Sequence, residues 1–80
     1  MAAAFVNSID YNNFMCALHH HRMGLYPKEV LQEDEVELLS ALAGSWACEG
    51  GPVKAGALRR GRRIADRVAA EVRQNKEVKP

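Results

Sequence analysis

The chain has 80 residues, a net charge of +1, two cysteines and a hydrophobic fraction of 48%. These values predict one folded domain and argue against wholesale disorder, a disulfide-rich secreted framework and a membrane span of ~18 apolar residues. The small net charge conceals a division: residues 1–49 hold two Lys or Arg against seven Asp or Glu, and residues 50–80 hold nine against three. We therefore expect an acidic face and a basic face.

The N-terminal residues predict a short extended arm. Residues 4–6 are small or apolar, and Phe5 is expected to anchor the arm on the domain, with a frayed tail as the alternative. No basic segment precedes a long apolar run, so a secretory signal is not expected and the predicted location is cytoplasmic.

A first helix is predicted at about residues 9–23. Ser8 and Asp10 are both candidate N-caps, because a side-chain oxygen there can accept a hydrogen bond from a free helix N–H. Apolar residues follow at the spacing of one helix face: Tyr11, Phe14, Met15 and Leu18.

A second helix is predicted at about residues 28–48, with Gln32 as an alternative start beyond the break at Tyr26-Pro27. Its stripe of apolar residues ends before a Gly-Gly-Pro turn at residues 50–52. A third helix is predicted at about residues 53–74, followed by a loose charged tail over residues 75–80.

Together these elements predict an all-α fold, a small three-helix domain with short loops that spans residues 1–80. Small residues on the third helix, Gly61 among them, would allow another helix to approach closely. The predicted core consists of Phe14, Leu18, Leu39, Leu42, Trp46, Ile64, Val68 and Val72.

The third helix carries the main candidate for partner binding, a set of five arginines: Arg59, Arg60, Arg62, Arg63 and Arg67. Guanidinium groups bind carboxylates and phosphates through paired N–H donors. Three interpretations are open: a solvated face partly paired with acidic residues, a docking surface for an acidic protein, or a contact to the backbone of DNA or RNA.

The start of the second helix carries an acidic cluster, Glu33, Asp34, Glu35 and Glu37. This cluster is a second candidate for partner binding. The alternative is a local role, because negative charge near a helix N-terminus is favoured by the helix dipole.

A helix-turn-helix is the sharpest form of the nucleic-acid interpretation. Ala47 and Gly51 match its first two characteristic positions, but Arg60 falls where an apolar residue is needed. No aromatic residue lies among the arginines, which argues against a stacking platform for single strands.

The cysteines and histidines provide no complete metal site. Cys16 and His20 share a helix face, yet no second pair of ligands exists, so neither a metal nor another cofactor is predicted. Cys16 and Cys48 are candidates for an intermolecular disulfide, which would make a homodimer, or serve as reduced apolar residues. No glycine-rich phosphate loop or nucleophile motif is present, and we expect no enzymatic activity.

In size and in its exposed charged helix faces, at residues 33–37 and 59–67, the chain resembles the small inhibitor proteins that phages encode against host defence, anti-CRISPR proteins among them. The resemblance implies stoichiometric binding to a large host nucleoprotein complex in the host cytoplasm, which blocks access of nucleic acid. The prediction is therefore a non-enzymatic protein-interaction module of this inhibitor kind. The alternative is a small DNA- or RNA-binding protein that uses the third helix.

Overall fold

The computed structural model describes residues 3–23, 31–48 and 51–78, with side chains described as far as residue 74. Along the chain follow strand β1 (Ala3–Phe5), helix α1 (Ser8–Met23), helix α2 (Glu33–Cys48), strand β2 (Pro52–Lys54) and helix α3 (Ala55–Val78). The predicted small three-helix domain is confirmed. The strands form an antiparallel pair in which Ala4 lies opposite Val53.

The second and third helices begin later than predicted. Helix α2 begins at Glu33 rather than at residue 28, and residues 28–30 lie outside the described residues. Helix α3 begins at Ala55 rather than at residue 53, because Pro52–Lys54 pair with β1 as a strand. At its other end α3 continues as far as Val78, through most of the predicted loose tail, whose residues 79–80 lie outside the described part.

Helices α1 and α2 both begin with a carboxylate that reaches back to the backbone. The N–H of Asp10 donates to Oδ1 of Asn7 at 2.7 Å, and the N–H of Asn7 donates to Oδ2 of Asp10 at 3.4 Å. The N-cap is therefore Asn7, and the predicted caps at Ser8 and Asp10 are wrong. In α2, the N–H of Gln32 donates to Oε1 of Glu35 at 2.9 Å in the same manner.

The sheet ties the start of α1 to the start of α3, since β1 precedes α1 and β2 leads directly into α3. Side chains alternate in direction along an extended chain. Phe5 consequently points outward and is 61% exposed, whereas Val6 is 5% exposed. The arm is anchored by Val6, and the prediction of Phe5 as the anchor is wrong.

The three helices enclose one apolar core, in which Phe14, Leu39 and Val68 are almost fully buried. Two predicted core members differ: Val72 is only partly buried, and Trp46 is 40% exposed. The Trp46 ring rests on Tyr11, with ring centroids 6.3 Å apart. The predicted core also lacked several residues that are in fact buried: Val6, Ala17, Leu31, Ala43, Leu58 and Ala65.

Helix α3 passes close to the other two helices at Gly61. A Cβ placed there would collide with Cδ1 of Leu42 and lie 3.4 Å from Cζ of Phe14. The absent side chain lets the backbone of α3 approach α1 and α2 together. This crossing determines which arginines of α3 can reach the neighbouring helices.

Candidate partner-binding surface

The arginines of α3 point in three directions. Successive residues of a helix are about 100° apart, and the buried stripe of α3 includes Leu58, Ile64 and Val68. Relative to this stripe, Arg62 projects from one flank and Arg60 and Arg67 from the other, while Arg59 and Arg63 project away from the core. The flanking arginines lie within reach of α1 and α2.

On the first flank, Arg62 of α3 binds Asp10 of α1 through two hydrogen bonds. Its Nε and an Nη donate to the carboxylate oxygens at 2.9 and 2.8 Å. The Asp10 side chain is only 8% exposed. The hydrogen bonds from Arg62 hold the pKa of Asp10 below its usual value, against the desolvation that raises it, and the Asn7 N–H acts in the same direction as Arg62.

On the opposite flank, Arg67 binds Glu35 of α2 with the same geometry. Two Nη atoms donate to the carboxylate oxygens at 2.9 and 2.8 Å, and the Glu35 side chain is 11% exposed. Hydrogen bonds from Arg67 lower the pKa of Glu35 despite its burial, with a smaller contribution from the N–H of Gln32. The pKa values of Arg62 and Arg67 are raised by the same hydrogen bonds.

A third arginine, Arg60, forms an ion pair with Asp34 at 2.7 Å. Both side chains are at least half exposed, so this pair contributes little to stability. Its effect is on the surface charge, because each partner offsets the other. Arg60, Arg62 and Arg67 are thus all engaged within the domain.

Arg59 and Arg63 remain directed outward, one helical turn apart. Among the described residues, neither makes a hydrogen bond or an ion pair. They line a shallow groove of about 350 Å³ together with Arg62 and Asp66. This groove is the strongest candidate for partner binding, and we call it the Arg59–Arg63 groove.

The predicted acidic cluster is divided in the same way. Asp34 and Glu35 are paired with arginines of α3, whereas Glu33 and Glu37 are exposed. The equivalence of Asp10 and Glu35 was not predicted from the sequence. Each lies in the first turn of its helix, and each combines a backbone hydrogen bond with a bidentate bond from an arginine that flanks the stripe of α3. The position of each carboxylate in the first turn of its helix is the sequence feature that could have identified this pair.

The helix-turn-helix interpretation is wrong. The two helices of that motif are joined by a tight turn, but here strand β2 lies between α2 and α3 and pairs with the N-terminal arm. The would-be recognition helix also supplies the arginines that hold α1 and α2.

The remaining predicted residues form no joint site. Cys16 and Cys48 are both free and exposed, so the intermolecular disulfide stays a prediction. The rings of His19 and His20 lie edge to face with centroids 6.0 Å apart. Across the side chains that the structure describes, in residues 3–23, 31–48 and 51–74, no three His, Cys, Asp or Glu gather as a metal ion requires.

Comparison with protein-family models, curated proteins and solved structures found no match. Within the described part of the chain, none of the helices combines the length and apolar character that crossing a bilayer requires.

Proposed function

We propose that this chain is a non-enzymatic protein-binding module that docks on an acidic surface of its partner through the Arg59–Arg63 groove. The observation that carries the proposal is the division of the arginines. Arg60, Arg62 and Arg67 are engaged with carboxylates of the same domain, and Arg59 and Arg63 are left directed outward.

The geometry favours a carboxylate partner over a nucleic-acid backbone. Proteins that bind duplexes tightly neutralise several phosphates, on the order of 6–10 in strong cases. The Arg59–Arg63 groove offers two guanidinium groups that have no partner among the described residues, which is fewer than such a duplex contact uses. Two forks one helical turn apart match a pair of carboxylates on a partner helix or loop.

The resemblance to small phage-encoded inhibitors supports a narrower form of this proposal. In that form the partner is a host nucleoprotein complex, and the acidic surface covered by the groove is one that borders its nucleic-acid path. Binding of this kind is stoichiometric and requires no catalytic group on the chain.

The test is quantitative co-purification with a charge-reversed groove. The double variant Arg59→Glu/Arg63→Glu is compared with wild type and with the control Lys54→Glu/Arg73→Glu, which makes the same charge change at exposed positions outside the groove. We expect partner proteins to be retained by wild type and control and lost by the groove variant. Equal retention by all three overturns the proposal.

A gel shift with short duplexes distinguishes the nucleic-acid alternative. We expect no specific complex at low salt. A shift that requires Arg59 and Arg63, and whose affinity falls steeply as salt rises, would instead identify nucleic acid as the partner.

A further inference from the structure

Helix α3 packs against one side of the α1–α2 pair. Asn13 of α1 lines a small cleft shared with α3, and Leu42 of α2 lies against Gly61. Residues two positions apart on a helix point to nearly opposite sides. Met15 and Gly44, two positions after Asn13 and Leu42, therefore face away from α3, and both line a groove along the α1–α2 seam.

The floor of this groove is apolar and its volume is about 220 Å³. We call it the seam groove, and its lining residues are Tyr11, Met15, Leu18, Arg22, Ser40, Ala43, Gly44 and Ala47. The α2 side is built from small residues, so another helix could approach closely. A Cβ added to Gly44 would meet nothing within 4 Å, so no contact within the chain requires glycine there. Glycine weakens a helix interior relative to alanine, so Gly44 lowers the stability of α2 without a compensating contact among the described residues.

Opposite charges lie at one end of the seam groove. Arg22 of α1, Glu33 and Glu37 of α2 are all exposed. Tyr11 lies near the start of α1 and contacts Trp46, which lies near the end of α2. The two helices therefore run antiparallel. Arg22 follows Tyr11 on α1 by the same number of residues as Glu35 precedes Trp46 on α2. Arg22 therefore lies level with Glu35, between Glu33 and Glu37.

No ion pair joins Arg22, Glu33 or Glu37 to another of the residues that the structure describes. Each copy thus presents a basic α1 and an acidic α2 at the same level of the same face. A surface that carries both signs side by side is complementary to itself under a twofold rotation.

We propose that the seam groove is the interface of a homodimer. A second copy of this chain docks face to face on it, and the two α1–α2 pairs form a four-helix bundle. A twofold axis parallel to the helices sets α1 of each copy beside α2 of the other, antiparallel as within one copy. Arg22 then lies beside Glu37 of the other copy, twice. A twofold axis that lies in the plane of the face and perpendicular to the helices would instead set the charged end over the Tyr11–Trp46 end.

The size of the face indicates a weak, reversible dimer. Two adjacent helices, each about 24 Å long and about 10 Å wide, give a face of about 500 Å² per copy, or about 1,000 Å² in total. That total is at the lower limit for specific interfaces. The interface lies on the opposite side of α1 and α2 from α3, so the Arg59–Arg63 groove stays open in both copies.

Sedimentation over a concentration series in the presence of reductant tests the dimer. Between about 10 μM and 1 mM we expect the mass to rise from the monomer value toward twice that value. The reductant removes any contribution from disulfides of the exposed Cys16 and Cys48. A monomer of 8.9 kDa throughout the series overturns the proposal.

Variants then locate the interface. Gly44→Leu fills the groove and should weaken association about tenfold or more, without loss of helical signal, because the added side chain extends into open space. Arg22→Glu should weaken it similarly, and the exchange Arg22→Glu/Glu37→Arg should restore it. Arg63→Glu on the far side is the control and should change nothing. Association that survives Gly44→Leu and Arg22→Glu, or an exchange that restores nothing, places the interface elsewhere and contradicts the proposal.

Discussion

At the scale of single residues, the arginines of α3 perform different tasks although they are close in sequence. Arg67 donates two hydrogen bonds to a carboxylate that is 11% exposed, whereas Arg63 makes no ion pair within the described residues. The difference follows from the angle of each residue to the buried stripe of α3. Charge alone does not distinguish them.

Replacement of these two arginines should therefore have unequal effects on stability. Arg67→Ala leaves the Glu35 carboxylate half-satisfied in a buried position, and we expect a loss of about 1–2 kcal/mol, reduced by the partial exposure of Arg67. Arg63→Ala should lie within about 0.5 kcal/mol of wild type. Urea denaturation measures both, and equal losses would contradict the internal role of Arg67.

The glycines of the helix interiors provide a second matched pair. A methyl group at Gly61 collides with Leu42 in the core, while one at Gly44 meets nothing. Gly61→Ala should lose about 1 kcal/mol or more, because overpacking exceeds the gain in helix propensity. Gly44→Ala should gain up to about 1 kcal/mol. Thermal unfolding of the two variants should thus shift in opposite directions, and a gain in both would show that the core yields at Gly61.

Much at this scale could not be predicted from the sequence. Ser8 and Asp10 were the predicted N-caps of α1, but the cap is Asn7. The periodicity of apolar residues does not indicate which polar residue caps a helix. Phe5 was expected inside because it is large. The pairing of β1 with a strand far along the chain orients Val6 inward instead. The direction of these side chains depends on the strand that pairs with β1, and the local sequence does not reveal that strand.

At the scale of elements, α1 and α2 begin in the same way. Asp10 and Glu35 each accept a hydrogen bond from the backbone before the helix and two from an arginine of α3. Both carboxylates have a lowered pKa, for which the arginine is the main cause.

Acid should accordingly destabilise the fold. A carboxylate whose folded pKa is lowered contributes stability that is present above its unfolded pKa, about 4, and is lost as the pH falls through the folded value. We expect the free energy of unfolding to fall as the pH decreases below about 4. Asp10→Asn/Glu35→Gln should be less stable near neutral pH and should flatten this dependence. Urea titrations at several pH values measure it, and an unchanged slope in the variant would assign the acid response to other groups.

The elements themselves were largely predictable, since apolar residues at helical spacing mark all three helices. The start of α3 was not. Pro52 is acceptable as the first residue of a helix, and nothing local shows that Pro52–Lys54 pair with Ala3–Phe5 instead. Of the candidate surface, the sequence predicted the arginines but not their division, which depends on how α3 crosses the other helices at Gly61.

At the scale of the whole molecule, the N-terminal arm joins the first and last parts of the chain. The pairing of β1 with β2 attaches the start of α3 to the start of α1, while Arg62 and Arg67 attach its middle. The long third helix is therefore held at several places along the domain.

Removal of the arm tests this arrangement. Deletion of residues 1–5 should lower Tm by about 4–8 °C, which is the shift that a loss near 1 kcal/mol causes in a domain of this size. The helical circular dichroism signal should remain. Phe5→Ala is the control and should change Tm little, since Phe5 is exposed. An unchanged Tm after the deletion would show that the sheet adds no stability.

Asp10 and Glu35 each bind both the backbone before their own helix and an arginine of α3. Fraying at the starts of α1 and α2 is therefore linked to the release of α3. If α3 separates from the domain, both carboxylates lose their arginines at once, and the first turns of α1 and α2 lose the partners that orient their caps. Helix ends usually fray independently and cheaply. Here the amide hydrogens of both first turns should exchange with solvent at one shared rate, set by the opening of α3, so that two distant segments form a single cooperative unit.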